Sequence, residues 1–248
     1  MSAASLALRQ VKYENRSFWR NPAAAFFTFV FPLMFLVIFN LLFGENSNFY
    51  VPAIAAFSVI TACYTNVAMS ISFSRDQGVL KRKRGTPLPG WAFLGGRVIH
   101  STLIAVLLVA IVTVFGAVFY NVDIPTSTLP AFLVTLIVGA AAFSALGLAI
   151  TSIVPNADAA PAVINATILP LLFISDIFIP LDDAPGWLLR FADFFPIRHY
   201  STAMQAAFNP DAFHTSSGFE GTELAIVAAW GVIGIILAIR FFSWEPRR

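Results

Sequence analysis

Four stretches of this sequence, residues 21–44, 46–74, 98–122 and 124–157, each run for 24 residues or more without Asp, Glu, Lys or Arg. A helix needs roughly 20 apolar residues to cross a hydrocarbon core, and each run is long enough. Only 11% of the chain is charged, less than half of the ~25% usual in soluble domains, so charge to cover a soluble core of this size is missing. Lipid is therefore the solvent for most of the chain. Backbone groups in hydrocarbon must bond internally, which makes the runs helices. Two shorter runs, 159–175 and 224–239, extend into apolar flanks at 177–181 and 241–244. The expected fold is an all-α membrane protein of six spans, at about 23–43, 51–73, 98–120, 130–154, 161–180 and 223–243.

The first run exceeds the 7–15-residue core of a signal peptide and no small-residue cleavage site follows it, so it reads as a retained span. The single Cys63 lies inside the second span and reads as a packing residue. No internal repeat or low-complexity tract interrupts the chain, which reads as one transmembrane domain over 1–248.

Six spans put both termini on one side. That side collects 13 of the 15 cations, and the other keeps only Arg190 and Arg198 with nine of the 13 acids. The excess of Lys and Arg places the termini and the 74–97 loop in the cytoplasm. At 100° per residue, Arg9, Lys12, Arg16 and Arg20 fall on one stripe of a helix over 1–21, with Val11, Phe18 and Trp19 opposite. Such a segment suits the headgroup layer, although a plain basic flank orienting the first span would carry the same charges.

The loop after the second span reads "RDQGVLKRKRGTPLPG", with five of the chain's 15 cations between Arg75 and Arg84. Topology alone would explain the charge. It does not explain Gly78, Gly85, Pro87, Pro89 and Gly90, which punctuate a short element with defined ends. Nucleic acid is not an expected partner, because no aromatic residues interleave the cations and one short loop reaches few phosphates.

These residues resemble the cytoplasmic signature of type-2 ABC exporter permeases, of which the daunorubicin exporters are one branch. The matching positions are Arg75, Asp76, Gly78, Leu80, Lys81, Arg82, Thr86 and Pro87, and Arg84 joins them as a further coupling residue beside Leu80. The resemblance implies that residues 74–90 form a coupling helix seated on an ATPase subunit, with Leu80 as its apolar anchor. A second segment, 181–215 with its approach, is similar to the family's outer re-entrant helices through Pro180, Pro185, Trp187, Pro196 and Tyr200. Trp187 and Tyr200 suit headgroup level there. Val79, Lys83 and Asp176 depart from the family pattern.

The dipeptide Gly-Lys does not occur, so no phosphate-binding loop of the G-x-x-x-x-G-K-[ST] type is present. The chain is expected to be no enzyme and to hold no cofactor itself. The resemblance instead implies two copies of a separate ATPase that bind ATP and Mg, and a second permease subunit, by default an identical copy in a homodimer, though a related permease could take its place. It also implies a multi-pass place in a bacterial plasma membrane and export of an apolar or amphipathic substrate, such as a drug, antibiotic, lipid or lipid-linked glycan. His100, His199 and His214 show no metal-ligand spacing. An ion-coupled carrier or channel is the alternative. Its only intramembrane acid would be Asp176, and Pro32 and Pro170 would break its helices.

Carried over from the family, a pathway at the dimer centre would use the polar positions of spans one, two and five. These are Asn40, Thr61, Tyr64, Asn66, Ser70, Asn165, Thr167 and Asp176. For most of them a helix–helix hydrogen bond is the plainer reading. Asp176 differs, because a charge facing lipid is costly and needs water, a partner or substrate. Phe35, Phe39, Phe57, Phe73 and Phe173 suit either a hydrophobic gate or lipid contact.

Overall fold

A computed structural model describes residues 3–43, 46–85, 89–181 and 184–245, which are helical with no strand among them. The described residues form α1 (Ala3–Trp19), α2 (Pro22–Phe43), α3 (Ser47–Asp76), α4 (Val79–Arg84) and α5 (Gly90–Tyr120), then α6 (Leu129–Ile150), α7 (Ala160–Phe173), α8 (Gly186–Ala192), α9 (Pro196–Phe208) and α10 (Gly221–Phe241). Five of these, α2, α3, α5, α6 and α10, are long and apolar enough to cross a membrane, and α7 is a shorter apolar helix. The chain is a multi-pass membrane protein.

The bundle has two chemically distinct ends. One, the basic end, gathers α1, α4 and the loop between α6 and α7. There Arg75 of α3 bonds the carbonyls of Thr151 and Val154, and Trp244 packs on Phe93. Acids and the α8–α9 hairpin occupy the opposite end. On α1 the side chains of Arg9, Lys12 and Arg16 face outward, as does Arg20 just past its end, while Gln10, Glu14 and Phe18 turn toward α5 and α2.

The fifth span expected at 161–180 is not continuous. Helix α7 ends at Phe173 after 14 residues, about 21 Å of rise. Residues 174–179 turn instead, and Asp176 adopts a left-handed backbone with φ of 52°, a conformation Asp tolerates better than most residues. Its carboxylate accepts the Leu181 N–H at 2.8 Å, which closes the turn. Prolines do not break the helices: α2 runs through Pro32 and α7 through Pro170.

The hairpin of α8 and α9 fills the space that short α7 leaves. Tyr200 is fully buried against Phe143, at the spot where Gly139 has no side chain. A Cβ on Gly139 would lie 2.1 Å from the Tyr200 ring. Gly139 is ten residues into α6, so the hairpin reaches roughly 15 Å below the start of that helix. This corrects the expectation that Tyr200 sits among headgroups. The physical reason is that Ala203, Ala206 and Ala207 let α9 approach its neighbours closely, drawing it into the bundle. Trp187 on α8 remains 71% exposed.

Candidate functional site

Helices α2, α3 and α7 line an open-sided cavity of about 350 Å³ walled mostly by apolar side chains, among them Phe27, Phe31, Phe57, Met69 and Leu172. Thr61, Asn66 and Asn165 bring polar atoms to it. Thr61 belongs to a π-helical turn, Thr61–Thr65, inside α3. Such a turn holds one extra residue and often marks functional positions. Here α6 presses on it from behind: a Cβ on Gly147 would lie 2.7 Å from the Tyr64 carbonyl oxygen. The Thr61 hydroxyl donates to the Phe57 carbonyl at 2.9 Å, so its donor is committed while its oxygen can still accept.

Not all the polar positions of spans one, two and five converge. Tyr64 and Thr167 hydrogen bond to each other at 2.7 Å and line a separate apolar cavity beside Phe143 and Pro170. Asn40 donates to the Leu36 carbonyl at 2.9 Å and accepts from Ser47 at 2.6 Å, near the acidic end. Asp176 pairs with Arg198 at 2.8 Å, and Arg198 also bonds Asp193. Sequence reading missed Arg198. The available signal was the coincidence of a rare cation on the acidic side with a rare acid in an apolar run, since charges at membrane depth pair.

Above the cavity, Phe35, Phe39, Phe57 and Phe173 all meet Phe178, with ring centroids 5.1–5.5 Å apart. Phe178 itself is buried. Phe73 lies elsewhere. It lines a second, polar cavity of about 550 Å³ at the basic end, with Ser70, Gln77, Arg97 and His100. Asn66 and Met69 line both cavities. One chain therefore carries a polar cavity and an apolar cavity in series along α3, with an aromatic cluster around Phe178 beside Phe57.

The loop with the four consecutive cations folds as α4. Gly78 at φ of 69° makes the sharp step from α3 into it, a backbone angle that glycine adopts without steric cost. Leu80 turns inward and is fully buried among Val67, Ile71, Phe93, Leu148 and Ala238. It is thus a root that holds α4 to the bundle, not an anchor offered to a partner. Arg75 is likewise internal, 1% exposed, donating to the Thr151 carbonyl at 2.8 Å and to Val154 O. Asp76, Lys81 and Arg82 face outward. Arg84 ends the helix. Thr86 and Pro87 lie outside the described residues.

Lys83 places its ammonium 4.1 Å from the Phe93 ring centroid. Burial pushes its pKa down, Glu14 resists this, and Arg97 adds to the fall. Glu14 itself bonds Arg97 at 2.8 Å, docking α1 onto α5. Burial would raise the Glu14 carboxyl, yet the Arg97 charge and hydrogen bond, helped by Gln10 and Lys83, hold it below the usual carboxylate value. At the acidic end Pro180 follows the Asp176 turn, Pro185 opens α8 and Pro196 opens α9. Among the described residues no group of three or more His, Cys, Asp or Glu is placed to hold a metal ion.

A sequence profile described as ABC-2 type transporter matches residues 8–209. The chain is 25% identical over 248 residues to the daunorubicin resistance ABC transporter permease protein DrrB1 of Streptomyces coeruleorubidus, covering 94% of this chain and 84% of that protein. Over 164 residues it is 24% identical to the protein named "Probable multidrug ABC transporter permease YbhR" of Escherichia coli (strain K12), covering 66% of this chain and 44% of that one.

Proposed function

The chain belongs to the ABC-2 type transporter family, and from that membership we propose that it is the membrane permease of an ATP-driven exporter whose ATPase is a separate polypeptide. The observation that carries this reading is α4. It is a six-residue helix rooted by buried Leu80, with Lys81 and Arg82 directed outward from the basic end. A rigid cationic knob joined to α3 and α5 suits a groove on an ATPase and can pass its motion into both spans. Two ATPases that bind ATP and Mg would act on two permease copies, with the basic end and both termini in the cytoplasm of a bacterial cell.

The substrate is apolar or amphipathic, which the mostly apolar chamber between α2, α3 and α7 favours. Drugs, antibiotics, lipids and lipid-linked glycans all belong to this class. An ion-coupled carrier would need Asp176 to exchange ions, and that carboxylate is engaged by Arg198 and by the Leu181 N–H.

The test is co-purification with the ATPase encoded beside this chain, comparing wild type with Lys81→Glu combined with Arg82→Glu. Both residues are exposed, so the variant should insert and fold. Expected is a complex of two permeases and two ATPases that the variant loses. A variant that binds ATPase and transports as well as wild type would overturn the role of α4. Failure of wild type to bind any ATPase, with solute moved down an ion gradient instead, would overturn the exporter reading.

A further inference from the structure

We propose that the 550 Å³ cavity where α1, α3 and α5 meet binds the phosphate headgroup of an anionic lipid from the leaflet at the basic end. The inference stands apart from the exporter reading, because it rests on the cavity's own unmet chemistry.

Two side chains on its wall, Arg97 and His100, are each only 8% exposed. Arg97 spends Nη2 on Glu14 at 2.8 Å, while its Nη1 has no hydrogen-bond partner within the protein. His100 Nε2 is also buried without one. Buried polar atoms are nearly always satisfied, and two unpartnered nitrogens on side chains that line one cavity leave it with unmet hydrogen-bonding capacity that an acceptor could take up. A phosphate fits this requirement: its oxygens take a charge-assisted bond from a guanidinium and a second from an imidazole N–H.

Charge and shape favour a lipid phosphate. On the cavity wall Glu14 offsets Arg97, and the positive charge that an anion would meet comes from Lys83, which lies near Glu14 and Arg97 without lining the cavity. Ser70, Ser74 and Gln77 supply further polar atoms, and Phe18, Met69 and Phe73 line the same space. An occupant with an apolar part next to its anion matches that lining better than a free ion does. The cavity also lies beside α1, whose outward Arg9, Lys12, Arg16 and Arg20 form a basic rim able to gather anionic headgroups before one enters.

The experiment uses the purified full chain in detergent micelles supplemented with dioleoyl phosphatidylglycerol, dioleoyl phosphatidylcholine or inorganic phosphate, read by native mass spectrometry and thermal unfolding. Wild type should retain phosphatidylglycerol at least about tenfold more strongly than phosphatidylcholine, and inorganic phosphate should not shift its melting. Ser70→Phe fills the cavity and leaves the Glu14–Arg97 pair in place. It should reduce retention about tenfold or more, because the added ring keeps the phosphate from its charge-assisted bond to Arg97. His100→Phe removes both imidazole nitrogens, leaves Arg97 in place and is read by the same criterion should the first variant not fold. Equal retention of both lipids by wild type, or undiminished retention by these variants, would overturn the site. Stabilisation by inorganic phosphate as large as that by phosphatidylglycerol would overturn the lipid as its occupant.

Discussion

Replacing Arg75 with methionine separates two roles for this residue, one facing a partner and one holding the chain to itself. In the structure its guanidinium donates to two carbonyls, Thr151 at 2.8 Å and Val154, and both of those residues are fully buried. Bonds from a charged donor contribute ~1.5–3 kcal/mol each, so losing two costs ~3–6 kcal/mol. Releasing the buried guanidinium to an apolar side chain of similar volume returns part of its desolvation penalty, leaving a net loss of about 2–4 kcal/mol. The carbonyls cannot recover this from water, because neither is exposed. By the scaling of soluble domains of this length that is a drop in Tm of roughly 5–15 °C. The assay is thermal unfolding of the purified permease without any ATPase, followed by size-exclusion fluorescence. Arg75→Lys, which can satisfy one carbonyl, should fall between wild type and Arg75→Met. If Arg75→Met melts with wild type and loses only ATPase binding, the internal tie is not what this arginine contributes, and the reasoning fails.

Gly139→Ala should destabilise the α8–α9 hairpin by ~1–3 kcal/mol, as overpacking does in close-packed cores, because its Cβ would meet the Tyr200 ring at 2.1 Å. Combining it with Tyr200→Leu should restore much of the loss in the same melting assay. For Glu14 the folded pKa is depressed, so its contribution is complete above the ordinary glutamate value of about 4.3 and disappears as pH falls through the lowered one. Docking of α1, read by limited pepsin cleavage, should hold steady down to about pH 4.3 and weaken below it; Glu14→Gln should remove that acid step. Asp176→Asn keeps a residue that tolerates positive φ but loses the charge pair with Arg198, whereas Asp176→Ala loses both. Protease sensitivity of the 174–195 segment should therefore rise for the first variant and rise further for the second.

Much of the bundle was legible from short windows of sequence. Charge-free runs of the right length identify α2, α3, α5 and α6 as spans, and the stripe of Arg9, Lys12, Arg16 and Arg20 identifies the outward face of α1. The cluster of Gly78, Leu80 and four cations identifies a discrete element between two spans. Local signals failed where the partner was remote. Leu80 was expected outside and lies inside, since its neighbours Leu148 and Ala238 come from other helices. Tyr200 was expected among headgroups and is buried inside the bundle midway along α6, since the space it fills is made by a glycine in that helix. Of the polar positions considered for a pathway, Thr61, Asn66 and Asn165 converge on one chamber while Tyr64 and Thr167 face another, a division that depends on how α3 and α7 are rotated.

The sequence by itself determined that the chain spans a membrane as helices, because hydrocarbon forbids unpaired backbone groups and a helix satisfies them from within one segment. It also determined which end is basic, because charge is counted along the chain. Only the tertiary structure decided which charges are spent internally. Arg75 reaches Thr151 across 76 residues and Arg198 reaches Asp176 across 22. Such pairings depend on distances in space, and in a low dielectric those distances decide whether a charge holds the fold together or remains for a partner.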